Sequence, residues 1–282
     1  MTRDLEEFRI ISLPEEAFYI ADFISEREEE HLLQKLNCSH FYVLYSAWRS
    51  VLDASAPPPP SCITISLWLT HPQIVSAPLP RWTHLSHRRL QSWPSALTKT
   101  NTLLESPLPP WLKSPIVEPK FEELGIFKNA PHGAPNHVLI NEYTPGQGIM
   151  PHEDGAAYHP LVATVSLGSP IVLDLYEKSR QDEPNAECEN PTGRKPQFRI
   201  LQERRSLLVT RGRLYTDFLH GIAEIDRDED LEPHSICNWS LLRGEDVSHK
   251  NSYARGTRTS LTYRDVLKVA KMGNTAKFLG GK

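Results

Sequence analysis

A chain of 282 residues with 39% apolar content is long enough to bury one large core or two small ones, and its net charge of -4 excludes a global attraction to polyanions. The four cysteines, Cys38, Cys62, Cys188 and Cys237, are far apart and form no CxxC pair, which argues against a zinc site or a disulfide framework. Met1 to Phe8 is charged and no run approaches a membrane span, so a soluble intracellular protein of the cytoplasm and nucleus is expected, without membrane partners.

From the N-terminus, Ala17 to Ile20 reads as a strand. Ser25 followed by Glu28 is a capping box, and Leu32, Leu33 and Leu36 supply the apolar stripe of a helix of about three turns. From about Phe41 to Pro80 the composition changes, and the prolines from Pro57 to Pro60 exclude regular pairing, so an irregular insertion is expected. Arg81, Arg88 and Arg89 are then interleaved with Trp82 and Trp93. Guanidinium groups and aromatic faces are what stacking on an exposed base requires; a basic surface strand with a packed tryptophan is the plainer alternative. Leu108 to Leu112 begins a short helix with proline near its first turn, and Asn129 to Pro135 reads as a loop.

Val138 to Gly155, V-L-I-N-E-Y-T-P-G-Q-G-I-M-P-H-E-D-G, is the centre of the reading. Val138, Leu139, Ile140 and Tyr143 form a short buried strand, and Thr144 to Gly148 is a turn whose two glycines can take positive φ. An extended segment from Ile149 to Asp154 would then present His152 and Asp154 on one face, because residues two apart in a strand point the same way. Alone, such a pair is a weak signal.

Beyond it lie β-like runs at Leu161 to Leu167, Ile171 to Tyr176, Phe198 to Leu201, Ser206 to Arg211 and Thr257 to Val266. They predict a mainly β protein with flanking helices, built as an antiparallel sandwich or jelly roll. Lys178 to Lys195 is expected to be a hairpin excursion, and Glu224 to Ala254 a long acidic surface loop. The expected organisation is an N-terminal extension over 1–137 carrying the insertion at about 41–80, a β core over 138–268 and a basic tail over 269–282.

His220, just beyond an apolar strand, would complete two histidines and one carboxylate with His152 and Asp154, the facial set that holds non-haem Fe(II) and leaves positions for a chelating 2-oxo acid and O2. His132, His137, His159 and His234 compete for a place near that centre. In the strand R-T-S-L-T-Y-R, Arg258, Ser260, Thr262 and Arg264 share one face. Two guanidinium groups on one face are costly to bury without an anionic partner, which a dicarboxylate such as 2-oxoglutarate would supply; a solvated edge strand paired with surface acids is the plainer alternative.

The motifs N-E-Y-T-P-G-Q-G-I-M-P-H-E-D-G, L-Y-T-D-F-L-H-G-I and R-T-S-L-T-Y-R together resemble the AlkB family of Fe(II)/2-oxoglutarate-dependent dioxygenases. The resemblance implies a double-stranded β-helix, iron on His152, Asp154 and His220, and 2-oxoglutarate hydrogen-bonded by Asn141 and Tyr143 with Leu139 nearby. It implies that Arg258 takes the distal carboxylate and that Arg264 supports the end next to the metal. Trp82 is similar to the lid aromatic that stacks on an extracted base. Two departures stand out: Ser260 replaces the family's usual asparagine, and Ala156 replaces an acid that helps read the base in bacterial repair members. The function implied is an oxidative demethylase or hydroxylase acting on a single-stranded or flipped-out base of a nucleic acid. A protein side chain as substrate, or a non-catalytic binding module of the same fold, is the alternative.

Overall fold

The computed structural model describes residues 4–14, 16–36, 82–178, 195–244 and 251–271. The insertion expected at about 41–80, Arg81, most of the excursion after Lys178 and most of the C-terminal tail lie outside those residues.

Runs rich in β-branched and aromatic residues form strands Ala17–Ile20 (β1), Thr83–Leu85 (β2), Arg88–Trp93 (β3), Leu103–Leu104 (β4), His137–Tyr143 (β5), Ile149–His152 (β6), Tyr158–Gly168 (β7) and Ile171–Glu177 (β8). They continue as Phe198–Gln202 (β9), Leu207–Arg211 (β10), Phe218–Ile222 (β11), Arg227–Glu229 (β12), Ser252–Ala254 (β13), Arg258–Val266 (β14) and Val269–Ala270 (β15). Two antiparallel sheets result, a larger one ordered β1-β10-β7-β14-β5-β3-β2 and a smaller one ordered β6-β11-β8-β9. The chain passes from β5 to β6 to β7 to β8, changing sheet each time, and from β9 to β10 to β11 in the same way. This winding is the expected jelly roll.

Strand alternation divides the larger sheet between two environments. Val138, Ile140, Ala163, Val165, Leu261 and Tyr263 point to one side, into a core shared with the helix over 26–36 (α1). That helix begins as its sequence predicts: Ser25 Oγ accepts from Glu28 N at 3.3 Å and Glu28 Oε2 accepts from Ser25 N at 2.7 Å. The opposite side faces the smaller sheet and leaves a cavity between the two. Among the described residues, no helix is long and apolar enough to cross a membrane.

Two expectations change here. The N-terminal segment is not set apart from the β core, because β1, β2 and β3 are strands of the larger sheet and a boundary at Val138 falls inside β5. The acidic stretch from Glu224 to Ala254 is more than a surface loop. It contains the β12–β13 hairpin and buries Leu231 and Ile236 against Val172 and Leu201. Its acids are partly structural, since Asp228 is fully buried and takes both Nε and Nη2 of Arg255, at 2.8 and 2.6 Å.

The same segment protects the free edge of β9. Asn238, with 0% exposure, accepts from Leu201 N at 3.0 Å and donates to Leu201 O at 2.8 Å, imitating a neighbouring strand. Asn238→Ala would leave two buried backbone groups without partners. Its expected cost is about 3 kcal/mol, read as a lower denaturation midpoint at unchanged denaturant slope.

Candidate metal centre and cosubstrate cavity

The turn between β5 and β6 carries the first part of the site. Gly146 takes φ of +78°, as its place in the turn requires. Gly148 is a glycine for a different reason than expected: its φ is not positive, and a Cβ there would collide with the Ile222 carbonyl of β11. That close approach lets β6 pair with β11, in a register that sets His152 directly opposite His220. The two imidazoles consequently meet, with centroids 4.4 Å apart.

The strand ends at His152, two residues before the expected limit, because Gly155 turns the chain at φ of +81°. Asp154 is therefore positioned by a partner rather than by strand pleating. Arg264 Nη2 donates to Asp154 Oδ1 at 2.6 Å, and both side chains are buried. Tyr215 anchors the same turn by donating to the Gly155 carbonyl at 2.9 Å. Ligand atoms of His152, Asp154 and His220 all lie within 4.8 Å of one another.

The chemistry of these donors suits a divalent ion. Met150 O can only accept, so its 2.9 Å contact with His152 Nδ1 places the proton there and leaves Nε2 free to bind metal. Loss of hydration in the cavity wall holds His152 below the usual imidazole pKa and pushes His220 down to about 4, so both are neutral near pH 7. Two neutral imidazoles and one carboxylate form a set that binds first-row ions and leaves coordination positions open.

A cavity of about 270 Å³ extends from this cluster between the sheets. Leu139, Asn141 and Tyr143 of β5 line it, and so do Arg258, Ser260, Thr262 and Arg264 of β14, which is the face predicted by period-two alternation. Arg258 is 2% exposed, and among the described residues no carboxylate meets it. Its Nη2 donates to Ser166 Oγ at 2.9 Å and Gln202 Oε1 at 3.1 Å, while its Nε has no partner. Burial lowers its pKa to about 10, the mark of a cation that lacks its counter-ion. An anionic ligand entering the cavity would supply one.

Ser260 stands opposite Asn141 in the β14–β5 register, and the buried Oδ1 of Asn141 has no hydrogen-bond partner. Both residues line the cavity, so a ligand there can meet that oxygen. Ser166 and Gln202 are not foreseen from the sequence, since each reaches the site from a strand remote from the recognised motifs, and Tyr215 lies within L-Y-T-D-F-L-H-G-I without any signal there of its bond to Gly155.

Of the competing histidines, His132 Nδ1 is 2.5 Å from Asp265 Oδ1, and His234 pairs with Asp230 and Glu232 at the surface. His137 is buried beside Tyr158. None of these joins the cluster. The basic stretch also divides. Arg89 is held by Glu142 at 2.7 and 2.9 Å and lies 4.3 Å from the Trp82 ring centroid, and Trp82 packs against the main core. Neither lines the cavity, which departs from the lid role implied for Trp82. Of the two described arginines of this stretch, strand alternation sends Arg88 to the cavity side.

The sequence matches the model of the 2OG-Fe(II) oxygenase superfamily over residues 16–264. The chain belongs to this superfamily. A relative from Danio rerio, "Probable RNA/DNA demethylase ALKBH6", is 36% identical over 279 residues, covering 99% of this chain and 96% of the relative, which puts the oxygenase in the AlkB family. "tRNA (carboxymethyluridine(34)-5-O)-methyltransferase ALKBH8" of Macaca fascicularis is 30% identical over 187 residues, 64% of this chain but 25% of that larger protein. Among solved structures, that of OsALKBH1 is similar at a TM-score of 0.44 and 15% identity, covering 90% of this chain and 99% of the other. The oxygenase is thus a 2-oxoglutarate-dependent dioxygenase whose reagents are Fe(II), 2-oxoglutarate and O2.

Proposed function

We propose that this dioxygenase removes methyl groups oxidatively from a base of a nucleic acid, with iron held by His152, Asp154 and His220. The observation that carries the assignment is the meeting of those three side chains on the wall of a cavity that also holds an uncompensated, buried Arg258. The nucleic-acid substrate is supported by the likeness to the Danio rerio relative, whose name describes an RNA/DNA demethylase.

Arg258 would take the distal carboxylate of 2-oxoglutarate, giving the guanidinium the partner that Ser166 and Gln202 do not provide. Asn141 and Tyr143, which line the cavity, would hydrogen-bond the cosubstrate, with Ser260 and Thr262 of β14 facing it and Leu139 as an apolar wall. Arg264 holds Asp154 in place through a charge-assisted bond to Oδ1. Bound iron, with 2-oxoglutarate and O2, supplies the oxidising power to hydroxylate a methyl carbon, which then leaves nitrogen as formaldehyde while the cosubstrate becomes succinate and carbon dioxide. The target base has to be single-stranded or flipped out to reach a cavity enclosed between two sheets.

The test is incubation of N-methylated single-stranded RNA and DNA with the protein, Fe(II) and 2-oxoglutarate, followed by mass spectrometry of nucleosides. Loss of the methyl group in step with succinate is expected. Succinate release that no RNA or DNA stimulates would rule out the nucleic-acid assignment.

A further inference from the structure

The charge distribution of the cavity goes one step further than the nature of the polymer. Three guanidinium groups line it, from Arg88, Arg258 and Arg264. Asp154 and Glu153 are its carboxylates among the described residues. Asp154 is taken by Arg264, and Glu153 by an ion pair with Lys178. His152 and His220 add no negative charge. A divalent ion and a dicarboxylate cosubstrate cancel each other, so loading the site leaves the positive excess intact.

Arg88 is the member of this set without an assigned partner. Its guanidinium makes no hydrogen bond or ion pair with any described residue, and its Nε is buried without an acceptor. Its position is set by β3, where it pairs with Leu85 while the adjacent Arg89 turns to the other face to meet Glu142. Its charge reaches Tyr143 and His152, both on the cavity wall. A guanidinium left without an acceptor in a partly desolvated wall favours an incoming carbonyl or anionic oxygen, and repels an incoming cation.

We propose that Arg88 reads the target base, and that the site selects uncharged or acidic methylated bases bearing a carbonyl acceptor over methylated bases that carry a positive charge. This rests on the nucleic-acid reading above. The cavity presents no unpaired described carboxylate that would welcome a cationic base, and Ala156, two residues beyond Asp154, is exposed and adds none.

A matched pair of ligands tests the proposal. 3-Methyluridine and 3-methylcytidine differ in the group at position 4, a carbonyl in the neutral former and an amino group in the latter, which is cationic at neutral pH. Short single-stranded RNAs carrying one or the other, or neither, would be titrated by fluorescence anisotropy into protein loaded with Fe(II) and 2-oxoglutarate without oxygen. Tighter binding of the 3-methyluridine RNA by about tenfold is expected for the unaltered protein. Arg88→Gln should bring the ratio near one and Arg88→Glu should invert it, while Arg88→Lys keeps the order. Removing a cation without a partner should leave the melting temperatures of these variants unchanged.

Equal binding of the two RNAs by the unaltered protein, preference for the cationic one, or a ratio that survives Arg88→Gln would overturn the assignment. Absence of binding to any of the RNAs would instead overturn the nucleic-acid reading, and this inference with it.

Discussion

Asp154→Ala should abolish the formation of succinate from 2-oxoglutarate and also destabilise the ligand-free protein, whereas His220→Ala should abolish turnover alone. Both remove a donor from the three-residue cluster. The difference lies in Arg264, which is 8% exposed and loses its carboxylate only in the first variant. Breaking a buried ion pair by deleting one member typically costs about 3 kcal/mol or more, because the remaining charge stays desolvated. For a chain of this size that corresponds to a fall in melting temperature of roughly 6–12 °C. His220 has no such dependent, and the low pKa of its imidazole, about 4, reflects burial of a group that is neutral near pH 7. Succinate release and calorimetry on the two variants decide the matter. Turnover at the unaltered rate in His220→Ala would refute the metal centre, and equal melting temperatures would show that the Arg264–Asp154 pair carries no structural load.

Arg258→Met has the opposite signature, loss of function with a gain in stability. In the ligand-free protein this guanidinium is buried with two neutral acceptors and, among the described residues, no counter-ion, and burial lowers its pKa to about 10. A methionine of similar volume removes that penalty while giving up two hydrogen bonds, for an expected net stabilisation of about 1–2 kcal/mol. Binding of 2-oxoglutarate loses a charged two-point contact, so its KM should rise more than about 100-fold. Thermal unfolding with and without cosubstrate separates the two effects. Saturation at about a hundred times Kd should stabilise the unaltered protein by about 2.7 kcal/mol and leave the variant unmoved. A variant that melts lower, yet still responds to 2-oxoglutarate, would mean that Arg258 is a structural group.

Much of this site is written in short stretches of sequence. The face shared by Arg258, Ser260, Thr262 and Arg264 follows from the two-residue period of an extended chain, and the structure places all four on the cavity. The start of α1 likewise follows from the reciprocal bonds of Ser25 and Glu28. Each of these depends on local sterics, which neighbouring residues suffice to specify.

Other features were settled only when the sheets closed. His220 joins the cluster, rather than His132, His137 or His234, because β11 pairs with β6 in one register; nothing within L-Y-T-D-F-L-H-G-I states which strand will lie beside it. Ser166 and Gln202 reach Arg258 across 92 and 56 residues of chain, and Asn238 reaches the β9 edge across 37. The separation of Arg88 from Arg89 also needed a partner, since Glu142 on β5 shows which of two adjacent cations is held away from the cavity. Short-range periodicity thus determined which side chains share a face. Only long-range strand pairing decided what that face would meet, because register is a property of two distant segments and of the core that closes over them.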